Sequence, residues 1–198
     1  MANRPSDNFS RRSFLKGSGA AAAAATAMVH NASPAEAQDP TSVVSGWTTI
    51  TLNVNGDDHQ VKVEPRTTLL EVLRYQLNLT GAKPVSLDGS SGASTVLVDG
   101  KPMTAATLLA LSVRGRAVQT VEGIEQDQVP AAFVAHDAQQ CGFCTPGFVV
   151  AVRAFLNEHP NASEEQIRNG LNGNICRCGT YANVIEAAVS VVKGERHG

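Results

Sequence analysis

The chain has 198 residues, with 16 Lys+Arg against 18 Asp+Glu and a net charge of −2. That balance leaves no basic stripe to neutralise phosphates, which argues against a nucleic-acid partner. The apolar fraction of 42% is too high for a disordered chain, and four cysteines are too few for a disulfide-built scaffold.

The first 37 residues read as a targeting segment. Ser10-Arg11-Arg12-Ser13-Phe14-Leu15-Lys16 carries a twin-arginine pair, an Ala-rich run follows from Gly19 to Val29, and Ala35-Glu36-Ala37 is a small-x-small cleavage pattern. The segment resembles twin-arginine translocation signals, which implies export of a folded protein to the periplasm, often with a cofactor already inserted. Its apolar run is too short and too rich in alanine for a stable membrane span.

Residues 38–46 read as a linker, and 47–123 as a compact α+β domain. Thr49–Val54 and Gln60–Val63 alternate in polarity across Asn55-Gly56-Asp57-Asp58, a hairpin signal. Thr67 is the expected N-cap of a helix bearing Leu69, Leu70, Val72, Leu73 and Leu77. Residues 81–94 are rich in Gly and Ser and predict a loop. Thr95–Val98 and Val118–Val121 predict two further strands. Residues 124–198 change character and predict four short helices, an all-α domain. One spans 127–138. The second has Pro146 as its first residue and stops at His159-Pro160. The third is capped by Ser163 and Gln166 and ended by Gly173. The last spans Asn183–Val192.

All the cysteines fall in this second half, as Cys141-Gly-Phe-Cys144 and Cys176-Arg-Cys178. Two short pairs from distant loops can bring four thiolates to one point at low entropic cost, and Gly142, Gly173 and Gly179 allow the tight turns this needs. From spacing alone three readings stand: an iron–sulfur cluster, two disulfides or a redox dithiol, and a structural zinc, which the one-residue spacing of Cys176 and Cys178 suits poorly. His59, His136, His159 and His197 show no metal-ligand spacing, and Trp47 reads as a packing residue. No phosphate-binding glycine motif or nucleophile–base arrangement is present.

The flanking residues are more specific. Gln140-Cys141-Gly142-Phe143-Cys144-Thr145-Pro146-Gly147 and Gly173-Asn174-Ile175-Cys176-Arg177-Cys178-Gly179-Thr180-Tyr181 closely resemble the iron–sulfur subunit of the molybdenum hydroxylases, the xanthine dehydrogenase, aldehyde oxidoreductase and carbon monoxide dehydrogenase group. The resemblance runs over roughly residues 48–192. It implies a β-grasp, plant-ferredoxin-like domain followed by a four-helix domain, with Cys141, Cys144, Cys176 and Cys178 as ligands of the [2Fe–2S] cluster nearest the molybdenum. It also implies that Gln140 hydrogen-bonds the pterin of a molybdenum cofactor held by a separate large subunit, and that Cys178 lies against that pterin. A flavin subunit or a cytochrome c would take the electrons onward.

The front half departs from that family. The β-grasp domain of such subunits carries a second [2Fe–2S] cluster. Here its frame is kept in Gly81, Asp88, Gly89, Gly92 and Thr95–Gly100, but Ser86, Ser91, Ser94 and Ala106 stand at the four ligand positions. A serine oxygen is harder than a thiolate sulfur and holds its proton far more tightly, and alanine has no donor. The expectation is one cluster, with the serine-rich loop held by serine–backbone hydrogen bonds. The functional expectation is an electron-transfer subunit of an exported hydroxylase acting on aldehydes or N-heterocycles. The alternatives are a docking or assembly subunit without efficient onward transfer, and a metal-free, disulfide-bonded periplasmic module.

Overall fold

The computed structural model of the protein describes residues 44–195; the targeting segment and most of the linker lie outside the described residues. Strands β1 (Thr48–Val54) and β2 (Asp57–Val63) pair antiparallel from Thr48↔Val63 to Val54↔Asp57. The turn is tighter than expected. Asp57 and Asp58 belong to β2, and Asn55 and Gly56 alone connect the strands with φ of 55° and 94°. Two consecutive positive φ values match the twist of a two-residue hairpin, and Asn-Gly tolerates them. Trp47, expected to pack, is 62% exposed, with the Lys62 ammonium 5.6 Å over its ring.

Helix α1 (Leu69–Glu71) continues with π geometry over Val72–Gln76. Its cap is Thr68, one residue later than expected. The reciprocal box requires a three-residue spacing to Glu71: the Glu71 N–H donates to Thr68 Oγ1 (3.2 Å) and the Thr68 N–H to Glu71 Oε2 (2.8 Å). Thr67 instead accepts from the Glu64 N–H.

Strands β3 (Thr95–Val98), β4 (Lys101–Thr104) and β5 (Ala117–Gln119) complete a mixed five-stranded sheet in the order β2-β1-β5-β3-β4, with only β1 and β5 parallel. Strand β4 is not among the elements the sequence predicts, and it contains Pro102. A proline is tolerated on an edge strand, which is where β4 lies, joined to β3 by a second positive-φ pair, Asp99-Gly100. The last strand ends at Gln119, and a 3₁₀ turn over Val121–Ile124 replaces its predicted end.

The second half holds α2 (Gln128–Ala135), α3 (Thr145–Glu158), α4 (Glu164–Gly170) and α5 (Tyr181–Val192). Pro146 is the second residue of α3, α4 ends before Gly173, and α5 starts two residues earlier than expected. The Ser163–Gln166 capping box is present as read. Among the described residues no helix is long and apolar enough to cross a membrane.

Two hydrophobic cores result. One joins the sheet to α1 through Leu52, Val63, Leu69, Leu73, Val96 and Val98. The other packs the four helices through Phe133, Phe148, Val152, Leu156, Ile167 and Val184, and includes Leu97 of β3. Strand β3 is therefore buried on both faces, which is why it reads as a continuous apolar run rather than an alternating one. It seats α3, and with it the end of the first cysteine loop, against the sheet.

Candidate metal centre

Cys141 and Cys144 lie on the loop that enters α3. Gly142 turns that loop with φ of 82°, and Cys144 caps the helix with its carbonyl accepting from the Phe148 N–H (3.0 Å). Cys176 and Cys178 lie on the loop between α4 and α5. Gly179 turns that loop with φ of 84°, whereas Gly173 needs no such conformation. The loop is tied to α5 by two bonds at Cys176. Its N–H donates to the Tyr181 hydroxyl (2.7 Å), and its Sγ lies 3.2 Å from Thr180 Oγ1. Tyr181 sits edge-on to Phe148 of α3, with ring centroids 6.0 Å apart, so the two cysteine loops share one aromatic support. The roles of Thr180 and Tyr181 escaped the sequence reading. The signal available was a hydroxyl side chain at the mouth of a helix, directly after a cysteine pair.

All four cysteines are free thiols; Cys176 is buried, Cys144 half-buried, and Cys141 and Cys178 are exposed. They interact as two pairs drawn from opposite loops, Cys141 with Cys178 and Cys144 with Cys176. Burial pushes the Cys144 thiol up to about 12, helped by its hydrogen bond to Cys176 and by the charges of Cys176 and Cys141. Burial also pushes Cys176 upward, but hydrogen bonds from the Thr180 hydroxyl and N–H, the Cys144 thiol and the Gly179 N–H outweigh it and bring the thiol down to about 7. The Phe143 N–H and the Cys178 thiol hold Cys141 below the ordinary thiol range. For Cys178 the Cys141 N–H is the largest influence and lowers it, but the hydrogen bond shared with Cys141 and the charges of Cys141 and Cys176 leave it raised.

Gln140 is exposed beside Cys141. The positions read as lost ligands also come together in pairs. Ser86 Oγ and Ser91 Oγ are 2.7 Å apart, and buried Ser94 accepts from the Ala106 N–H (3.3 Å). The hydrogen bonds expected of this loop are present: the Ser91 N–H donates to Ser86 Oγ (2.9 Å) and the Ala93 N–H to Ser91 Oγ (3.3 Å).

Residues 120–189 match the [2Fe-2S] binding domain family, and residues 8–28 match the twin-arginine translocation pathway signal sequence. The aldehyde oxidoreductase iron-sulfur-binding subunit PaoA of Escherichia coli is 38% identical over 95% of this chain and 90% of its own length. The chain belongs to the iron–sulfur small subunits of the molybdenum hydroxylases. Another member, the nicotinate dehydrogenase small FeS subunit of Eubacterium barkeri, is 37% identical over 71% of this chain and 92% of its own. The fold is that of a chain of quinoline 2-oxidoreductase from Pseudomonas putida 86, with a TM-score of 0.68 at 35% identity, covering 76% of this chain and 99% of that one. Membership makes this an oxidoreductase subunit that binds a [2Fe–2S] cluster and transfers electrons.

The donor set fits such a cluster. A binuclear cluster takes two thiolates at each iron, and the four thiols stand as two cross-loop pairs. Iron bound at Cys144 would displace its proton, because only thiolates bind metal. Iron loading of the metal-free chain is therefore expected to rise steadily from about pH 7 to about pH 9. A flat profile in a reconstitution assay followed by visible absorbance would contradict this.

Proposed function

We propose that this chain is the electron-transfer subunit of an exported molybdenum hydroxylase and carries one [2Fe–2S] cluster on Cys141, Cys144, Cys176 and Cys178. The observation that carries this is the pairing of the four thiols from two loops within the matched domain. Residues 47–123 then serve as a β-grasp, plant-ferredoxin-like domain without a cluster, and 124–198 as the four-helix cluster domain. The reading is supported by the separate cores and by the hydrogen-bonded serine pair at the second set of ligand positions.

When bound, the cluster accepts and passes on single electrons. The chain's own residues present and shield it. Cys176 and Cys144 lie on the inner side, against the helical core, while Cys141 and Cys178 stand at the surface. That surface, with Gln140 exposed beside it, is the side we assign to a large molybdopterin-binding subunit, with Gln140 contacting the pterin. A flavin subunit or a cytochrome c is the onward acceptor, and the twin-arginine match supports a periplasmic location. Substrates are aldehydes or N-heterocycles. The aldehyde class is favoured because the PaoA match spans 95% of this chain, and so extends into the targeting segment, whereas the nicotinate dehydrogenase match spans 71%.

The test is electron paramagnetic resonance of the chain purified with its large subunit. An aldehyde is expected to reduce the cluster and develop its signal within turnover time. A cluster reducible by dithionite but by no aldehyde or N-heterocycle would overturn the electron-transfer role in favour of a docking subunit. Thr180 gives a finer check, because hydrogen bonds to ligand sulfurs help set the potential. Thr180→Val is expected to lower the midpoint potential by about 40 mV, the scale of one hydrogen bond of about 1 kcal/mol, while Thr180→Ser keeps it. Redox titration reads both.

A further inference from the structure

The serine-bearing loop and the second cysteine loop meet directly. The Ile175 N–H donates to the Ser91 carbonyl (3.0 Å), and the side-chain amide of Asn174, itself buried, donates to the Gly92 carbonyl (3.0 Å). Cys176 follows Ile175 in the chain. The approach is as close as backbone allows. Gly92 has φ of 66°, and a Cβ there would overlap the Gly173 carbonyl and the Asn174 amide. On the other side Gly147, in the first turn of α3, closes on the same Gly92 carbonyl. Ser91-Gly92 is thus wedged between the two segments that carry the cysteines.

Ser91 is fixed in turn by Ser86. A hydroxyl donates and accepts at once. Ser86 Oγ accepts the Ser91 N–H while sharing a proton with Ser91 Oγ, and Ser91 Oγ accepts the Ala93 N–H. Alanine at either position leaves a backbone N–H in the loop without its partner.

We propose that Ser86 and Ser91 are positioning residues for the cluster site: their hydrogen-bonded pair braces the Ser91 carbonyl against the Ile175 N–H and so fixes where Cys176 stands. This rests on the reading of Cys176 as a cluster ligand. Residues that orient a metal's ligands typically change its retention 10- to 100-fold when removed.

The experiment uses the full chain purified with iron and compares wild type, Ser86→Ala/Ser91→Ala and Ser91→Thr. Hydrogen exchange at the Ile175 amide and iron loss to a chelator are measured for each. The double alanine variant is expected to exchange about tenfold faster at Ile175 and to lose iron about tenfold faster, and Ser91→Thr to behave as wild type. Ser86→Ala alone removes the acceptor of the Ser91 N–H and leaves Ser91 in place, so it supplies the same comparison if the double variant does not fold. Unchanged exchange and iron loss in an iron-loaded variant overturn the brace alone. Iron absent from the wild-type chain overturns the cluster reading, and with it the brace's part in retaining iron.

Discussion

Cys176→Ala is expected to strip the chain of its iron, leaving about a tenth of the wild-type content or less, while the helices remain folded. Cys176 is the most heavily supported of the four proposed ligands. It is buried, its N–H is held by Tyr181, its sulfur meets the Thr180 hydroxyl, and it pairs with Cys144. Removing it leaves one iron with a single thiolate, and no other thiol is within the sequence to replace it. The fold should survive because the helical core is built from the apolar side chains of Phe133, Phe148, Val152, Leu156, Ile167 and Val184. This separates the domain from small zinc modules, in which metal binding is the folding energy. Iron analysis beside far-ultraviolet circular dichroism reads the two halves of the prediction. Full iron content in the variant would remove Cys176 from the ligand set, and loss of helicity would show that the metal holds the helices together.

Local turns and caps were more legible in the sequence than tertiary placement. The capping box at Ser163 and the turns at Gly142 and Gly179 are local chemistry and stand where the sequence placed them, whereas Gly173 neither ends its helix nor takes a positive φ. The misplacements come from tertiary context. Thr67 and Thr68 are equivalent by composition, and only the reach of Glu71 selects Thr68. Strand β4 contains Pro102, tolerable only because β4 lies on the sheet edge, and sheet order is not written in any one segment. The contact of Asn174 and Ile175 with Ser91 and Gly92 joins residues more than eighty positions apart. No periodicity announces such a contact; the one local trace was a glycine at 92 whose backbone admits no side chain.

The purified chain is expected to hold about two irons, and restoring four thiols in the front half to raise this to about four. The whole sequence has four cysteines, all in the second half. The front-half positions are not merely poor donors. Ser86 and Ser91 already satisfy each other and two backbone N–H groups, Ser94 is buried and accepts from Ala106, and the Ala106 methyl offers nothing. Yet these four positions lie as two close pairs, Ser86 with Ser91 and Ser94 with Ala106, the same two-by-two arrangement as the thiols of the second half. In Ser86→Cys/Ser91→Cys/Ser94→Cys/Ala106→Cys, soft thiolates replace hydroxyls of much higher proton affinity, and iron–sulfur bonds take over the work of the serine hydrogen bonds. The cost is sulfur at two buried positions, Ser94 and Ala106, where added volume must be absorbed by their neighbours. Iron and acid-labile sulfide analysis after reconstitution, with a second paramagnetic signal on reduction, is the measurement. Four irons in the unmodified chain would refute the single-cluster reading. Two irons in the folded four-cysteine variant would show that the front half has lost the shape of a cluster site as well as its ligands.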